Sequence, residues 1–287
     1  MSSAAGLVEA LLALGVLVVV PLGVRLHRDL GPRWTAFFVT AGIPAVGSLL
    51  LAQGTGAAAA AVPWLGTAAV AAAVCVVRWL RERRAVLDLG WVAAPAFLAF
   101  GAAWLVLDRA ALEPAGVTPP FVLLTAVHFH YAGFVAALLV SLLRARVGGV
   151  SPRGTAAAVV AVVGAPPIVA AGFALVGVLQ IVGAVVLTAG LLLTAWLTLR
   201  LIVPTAEDGA ARALLVISSL AIVIPMLLAV QWAIGWNYGT PAPSIPAMAR
   251  THGLVNAVGF SLCGVLGWLR LHATEGGSRA RRQHDVR

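Results

Sequence analysis

Long apolar runs separated by short polar breaks make up nearly the whole chain. A helix needs about 20 apolar residues to cross hydrocarbon. Nine stretches meet that length, at about 5–26, 34–52, 57–80, 90–107, 119–143, 155–176, 178–203, 211–236 and 247–271. The pattern predicts an all-α, polytopic transmembrane helix bundle, one domain over 1–271, followed by a polar tail at 272–287. The weakest break lies between the sixth and seventh runs, where only Gly172, Gly177 and Gln180 mark a turn.

The breaks carry a second pattern. Arg25, Arg28 and Arg33 flank the first, Arg78, Arg81, Arg83 and Arg84 crowd the third, and Arg144, Arg146 and Arg153 mark the fifth. Arg200 and Arg212 bracket the seventh, Arg270 ends the ninth run, and the tail holds Arg279, Arg281, Arg282 and Arg287. The second, sixth and eighth breaks are uncharged, and the fourth holds Asp108, Arg109 and Glu113. Arginine concentrates on the cytoplasmic side of membrane proteins, so this alternation predicts nine spans with the N-terminus outside and the C-terminus in the cytoplasm. The first run has no charged leader and no small-residue cleavage site, and it reads as an uncleaved anchor.

Composition agrees and narrows the class. Of the 287 residues 61% are apolar and 10% charged, with a mean hydropathy of +1.02; an ordinary soluble domain has about 25% charged residues. The net charge of +9 sits in loops between spans, so it points to anionic lipid at the cytoplasmic face and not to nucleic acid. The tail is expected to be disordered and to lie on that lipid. All 19 basic residues are arginine, as in a high-GC bacterial genome, and the expected location is the bacterial inner membrane. Cys75 and Cys263 fall inside apolar runs and read as small buried side chains.

Against this background the polar residues inside the spans stand out. The fifth span carries His128, His130 and Tyr131, and the ninth carries Arg250, His252 and Asn256. Polar groups in hydrocarbon are costly and usually face protein or a water-filled cavity. Two residues apart, His128 and His130 point about 160° apart on an ideal helix. His130 shares a face with Gly133, so it is the expected partner of His252 and Asn256, while His128 sits with Thr125 and Tyr131. Glu9, Gln180, Gln231 and Asp108 also lie toward the outer side, which predicts a histidine-lined polar cavity in the outer half of the membrane. Pro166 and Pro167 are expected to break the sixth helix at mid-membrane. These residues fit a transporter, with His128, His130, Tyr131, His252, Asn256, Arg250, Glu9 and Asp108 on a substrate or proton pathway for an unidentified small molecule. They also fit a membrane-embedded enzyme holding a metal or haem through His128, His130 and His252, or an assembly factor whose histidines join helices. No phosphate-binding loop, nucleophile elbow, His-Glu-x-x-His pair or haem-attachment motif is present.

The string LTAVHFHYAGF at 124–134 resembles the signature of the YndJ-like bacterial membrane proteins. So does ARTHGLVNAVGF at 249–260, closed by Gly264 to Trp268, with further likeness at Gly164 to Gly172 and at Gly101 to Leu105. The resemblance implies a multi-helix inner-membrane protein of a family whose members are often labelled transporters.

Overall fold

The computed structural model describes residues 3–285. Among them every regular element is helical. In chain order the long helices are α1 (Ala5–Val24), α2 (Pro32–Gly47), α3 (Thr55–Arg81), α4 (Val86–Arg109), α5 (Phe121–Val147), α6 (Pro152–Phe173), α7 (Gly177–Thr205), α8 (Gly209–Tyr238) and α9 (Ile245–Thr274). All but α2 are long and apolar enough to cross a membrane. In hydrocarbon only a helix or a closed barrel satisfies its own backbone, so these eight runs define a multi-pass membrane protein. Helix continues beyond α9 to Asp285.

The short helix α2 has 16 residues and is extended by a 3-10 turn at Ser48–Leu50. Their summed rise is about 30 Å, roughly one hydrocarbon thickness. Hydrogen bonds fix its two ends. Before it, Asp29 takes two hydrogen bonds from Arg84, which precedes α4. After it, the Gly54 N–H donates to the carbonyl of Arg109 at the far end of α4. Thus α2 spans the distance between the two ends of α4 while packing on α1 and α3.

The centre of the bundle is α5. Phe134, Val135, Ala136, Ala137, Leu138 and Val140 are sealed from solvent on successive faces, so the helix is enclosed all round. It meets α1 and α9 there, and all three carry π-helical turns, at Gly15–Val19, Phe129–Val135 and Val255–Leu262. A π turn inserts one residue and swings the following side chains off the regular helical faces. Gly15 leaves room for the Tyr131 ring, and the Tyr131 hydroxyl donates to the Leu11 carbonyl at 2.7 Å.

Two proline sites depart from expectation. The helix carrying Pro166 and Pro167 is continuous from Pro152 to Ala174. These prolines remove two backbone donors, but Gly183 and Gly190 of α7 let that helix press directly on the backbone around Ala165, Val169 and Val162. The close pair keeps α6 in one direction. The lapse lies instead in α8, where the helical bonding pattern skips Ile222 alone, between Gly209–Ala221 and Val223–Tyr238, while Ile222 keeps helical φ/ψ and Pro225 follows in the next turn. Pro225 has no N–H to offer the Ala221 carbonyl.

Candidate functional site

The segments carrying the histidines meet, but through a different residue than the helical wheel suggests. His128 and His252 have ring centroids 5.9 Å apart, with planes 28° apart. His128 is exposed on the flank of α5, and His252 is half-buried. The Nδ1 of His128 lies 2.7 Å from the Leu124 carbonyl, and the Nδ1 of His252 lies 2.8 Å from the Pro225 carbonyl. A carbonyl only accepts, so each Nδ1 carries the hydrogen and each Nε2 keeps a lone pair. His252 thereby ties α9 to the Pro225 turn of α8. Its Nε2 receives the Asn256 side-chain N–H at 3.2 Å. The Asn256 Oδ1 is buried with no partner.

His130 does not join them. It is sealed from solvent, and its ring lies parallel to that of Trp64 in α3, with centroids 5.8 Å apart. Trp64 Nε1–H donates to His130 Nε2 at 2.9 Å, and His130 Nδ1–H donates to the Ala126 carbonyl at 2.7 Å. Both ring nitrogens are satisfied in the neutral form, so His130 is a packing residue between α3 and α5. Gly133 follows the same direction and admits Phe97 of α4 instead of α9. Gly101 of α4 does the same for Phe129 and His130.

The other expected pathway residues scatter. Asp108 is buried against the neighbouring Arg109, at 2.8 Å, and Arg109 also donates to the Ser48 carbonyl. This pair secures the end of α2. Glu9 is half-buried on α1, two residues before Leu11, whose side chain lies over Gly253. Arg250 is exposed, two residues before His252. Tyr131 serves the α1 contact. No histidine lines the groove of about 500 Å³ between α7 and α8, which is walled by Val185, Leu192, Leu227, Val230 and Ile234 with Thr188 and Gln231. The histidine-lined cavity expected in the outer half is therefore replaced by a ring pair beside Pro225 of α8.

The metal reading fares differently from expectation as well. Among the described residues the group of three close enough to share a metal is His27, Asp29 and Cys75, not the three membrane histidines. That group does not suit a cation. Both Asp29 oxygens are taken by Arg84, Arg28 and Arg78 lie within 4 Å of the same carboxylate, and both His27 nitrogens are engaged. The cysteines Cys75 and Cys263 are free thiols.

Sequence reasoning also missed a row of hydroxyls further along α9 from the histidines. Ser218, near the end of the first half of α8, donates to the Phe260 carbonyl at 2.7 Å. Phe260 lies one turn beyond Asn256. Ser218, Ser219, Thr194 and Thr198, with Phe260, Leu139, Leu215 and Trp268, enclose a small cavity between α5, α7, α8 and α9. Serine and threonine at helical spacing are too common in apolar helices to have announced this.

An all-helical bundle with eight membrane-crossing helices and a polar seam between α8 and α9 defines a multi-pass membrane protein. The chain belongs to the YndJ-like protein family, whose model matches residues 10–260. No curated protein and no solved structure matches it.

Proposed function

We propose that this protein is a carrier of the bacterial inner membrane that moves a proton or small cationic solute, with His128 and His252 as its outer-half site. The observation that carries this reading is the seam itself. His252, Asn256, the Phe260 carbonyl with Ser218, and the hydroxyl-lined cavity follow one another along the α8–α9 interface. They run past Pro225, where α8 loses a backbone hydrogen bond and leaves the Ala221 carbonyl without its usual helical donor. Histidine changes charge near neutral pH, which suits the pair to proton exchange with an outward-facing solute.

The test is flux in proteoliposomes. His252→Gln and His128→Gln keep a hydrogen-bonding side chain but remove titration. Each is expected to reduce pH-gradient-driven flux at least about tenfold, with thermal stability close to wild type. Flux per folded molecule equal to wild type in both variants defeats the reading.

A second reading has its own support. With each Nδ1–H fixed on a carbonyl, His128 Nε2 keeps a free lone pair and His252 Nε2 holds only the Asn256 N–H, which a metal would displace; a transition metal held by His128 and His252 is the alternative. Stoichiometric zinc, copper or iron in protein purified without chelators, lost in His252→Gln, would favour it over the carrier.

The same proposal includes nine crossings, with α2 as the ninth, an outer N-terminus, and basic loops and tail on anionic cytoplasmic lipid. Reporter fusions at Gly148 and Gly239 are expected on opposite sides, cytoplasmic and external respectively. Two cytoplasmic signals would refute the orientation.

A further inference from the structure

The arginines on the α1–α2 and α3–α4 loops fall into two groups. One group is spent on the acidic residues there. Arg84 holds Asp29 and Glu82, Arg28 reaches Asp29 and Asp88, and Arg78 donates to the Asp29 carbonyl. These contacts lock the two loops together. The other group is left over. Arg25, Arg33, Arg81 and Arg83 are exposed, and among the described residues no carboxylate or carbonyl takes a hydrogen bond from their side chains. Elsewhere most loop arginines are engaged: Arg144 with Thr155, Arg212 with the Ala206 carbonyl and Arg270 with Asp208. Unpaired positive charge therefore concentrates on one rigid platform. Arg83 is held there at a cost. It follows the end of α3 at φ 48°, with the next N–H, from Arg84, closing the helix on the Trp79 carbonyl. Glycine is the usual residue at that position, and a side chain in the left-handed region strains the backbone.

The surface beside these charges is apolar. At this platform α2 begins and α3 ends, and the two helices pack on each other. Arg33 and Phe37 lie one turn apart on α2, and Arg81 and Val77 one turn apart on α3, so each arginine shares a face with an apolar side chain further along its span. Phe37 and Leu80 are each 59% exposed. A soluble anion has no use for such a wall. A phospholipid uses both parts: its phosphate matches the guanidinium fork, and its chain lies on the apolar face. A zwitterionic headgroup brings its own cation and gains less from unpaired arginine than an anionic one. We propose that this end of the α2–α3 pair is a binding site for an anionic phospholipid, with its phosphate on Arg33, Arg81 and Arg83 and an acyl chain along Phe37, Val77 and Leu80. The site narrows the general lipid contact proposed above to one place, and rests on that reading for its side of the membrane. Reporter fusions with the opposite outcome would move the site to the other leaflet and leave the lipid test unchanged.

Thermal unfolding of the purified full-length protein in neutral detergent tests it. Phosphatidylglycerol is titrated in parallel with phosphatidylcholine and with inorganic phosphate. Phosphatidylglycerol alone is expected to raise Tm with the logarithm of its mole fraction, as ligand linkage requires. Arg33→Gln combined with Arg81→Gln is expected to raise the half-effective fraction at least about tenfold, the joint contribution of two arginines at an anionic surface. Arg153→Gln combined with Arg200→Gln removes the same charge elsewhere and should leave that fraction near wild type. No response to phosphatidylglycerol overturns the proposal. So does an equal response to phosphatidylcholine, which marks apolar filling only, or to inorganic phosphate, which marks a free-anion site. An equal loss in both double variants also overturns it, because the charge then acts diffusely. If the Arg33 and Arg81 double variant does not fold, native mass spectrometry of wild type decides. Preferential retention of phosphatidylglycerol from an equimolar mixture with phosphatidylcholine sustains the site, and equal retention refutes it.

Discussion

Arg84→Ala is expected to lower the stability of the folded protein by about 1–3 kcal/mol, less than the cost of fully stranding a buried charge, because Arg28 and Arg78 remain within 4 Å of the Asp29 carboxylate. Asp29 is 3% exposed at its side chain and takes hydrogen bonds from Arg84 at 2.7 and 2.8 Å. Arg78 donates to the Asp29 carbonyl, and Arg28 joins Asp88 while lying over the Trp91 ring. These contacts bind the α1–α2 loop to the α3–α4 loop. His27 completes the junction: its Nδ1 accepts the Asp29 N–H, so its Nε2–H donates to the Trp91 carbonyl at 2.7 Å. Burial pushes His27 down from 6.5 to about 4, outweighing the Trp91 carbonyl and the Asp29 charge, which act upward. For Asp29, burial alone acts upward, but the hydrogen bonds and charge of Arg84 outweigh it and hold the carboxyl below its ordinary value. Both folded-state values are depressed, so both groups favour the fold at neutral pH. As pH falls from about 6.5 to about 4 the unfolded chain takes up a proton that folded His27 refuses, a loss on the order of 3 kcal/mol. Asp29 adds to the loss at lower pH still. Thermal unfolding in detergent between pH 7.5 and 4 reads both effects. A wild-type Tm flat across that window, or an Arg84→Ala protein as stable as wild type, would remove the junction from the account of stability.

The helices were legible because each is a long apolar run, and eight of the nine are long and apolar enough to cross a membrane. Even α2, short by count, reaches both ends of the bundle. The site was legible in part. Finding His128, His130 and His252 needs only their cost in hydrocarbon, but choosing partners needs neighbours. His130 and Gly133 do share a face, yet that face meets α3 and α4, and nothing in the local sequence names the helix opposite. π-helical turns sharpen the difficulty, since ideal spacing of 100° per residue fails across Phe129–Val135 and Val255–Leu262. The proline pair at Pro166 and Pro167 announces a break that Gly183 and Gly190 prevent from the neighbouring helix, whereas the single Pro225 marks the lapse that occurs. Loop charges, counted only for topology, concealed the packed junction at Asp29. Trp64 was the readable signal for His130: a tryptophan deep in an apolar helix needs an acceptor for its N–H.

That pair yields the other large effect. Trp64 is sealed from solvent, packs edge-on against Phe38 of α2 at 5.3 Å, and gives its only hydrogen to His130. Trp64→Ala is expected to cost about 3–5 kcal/mol, as large aromatic deletions in cores do. Trp64→Phe keeps most of the ring but leaves the buried His130 Nε2 without a donor, and is expected to cost about 1–3 kcal/mol. Removing the second polar group relieves that penalty, so Trp64→Phe with His130→Phe should recover part of the loss, while His130→Phe alone orphans the indole N–H and should be worse than the double variant. Thermal unfolding of the four proteins gives the coupling directly. Flux per folded molecule should stay near wild type throughout, in contrast to His128→Gln and His252→Gln. Additive losses with no recovery would mean that the Trp64–His130 hydrogen bond does not hold α3 to α5, and a selective loss of flux in His130→Phe would return His130 to the working site.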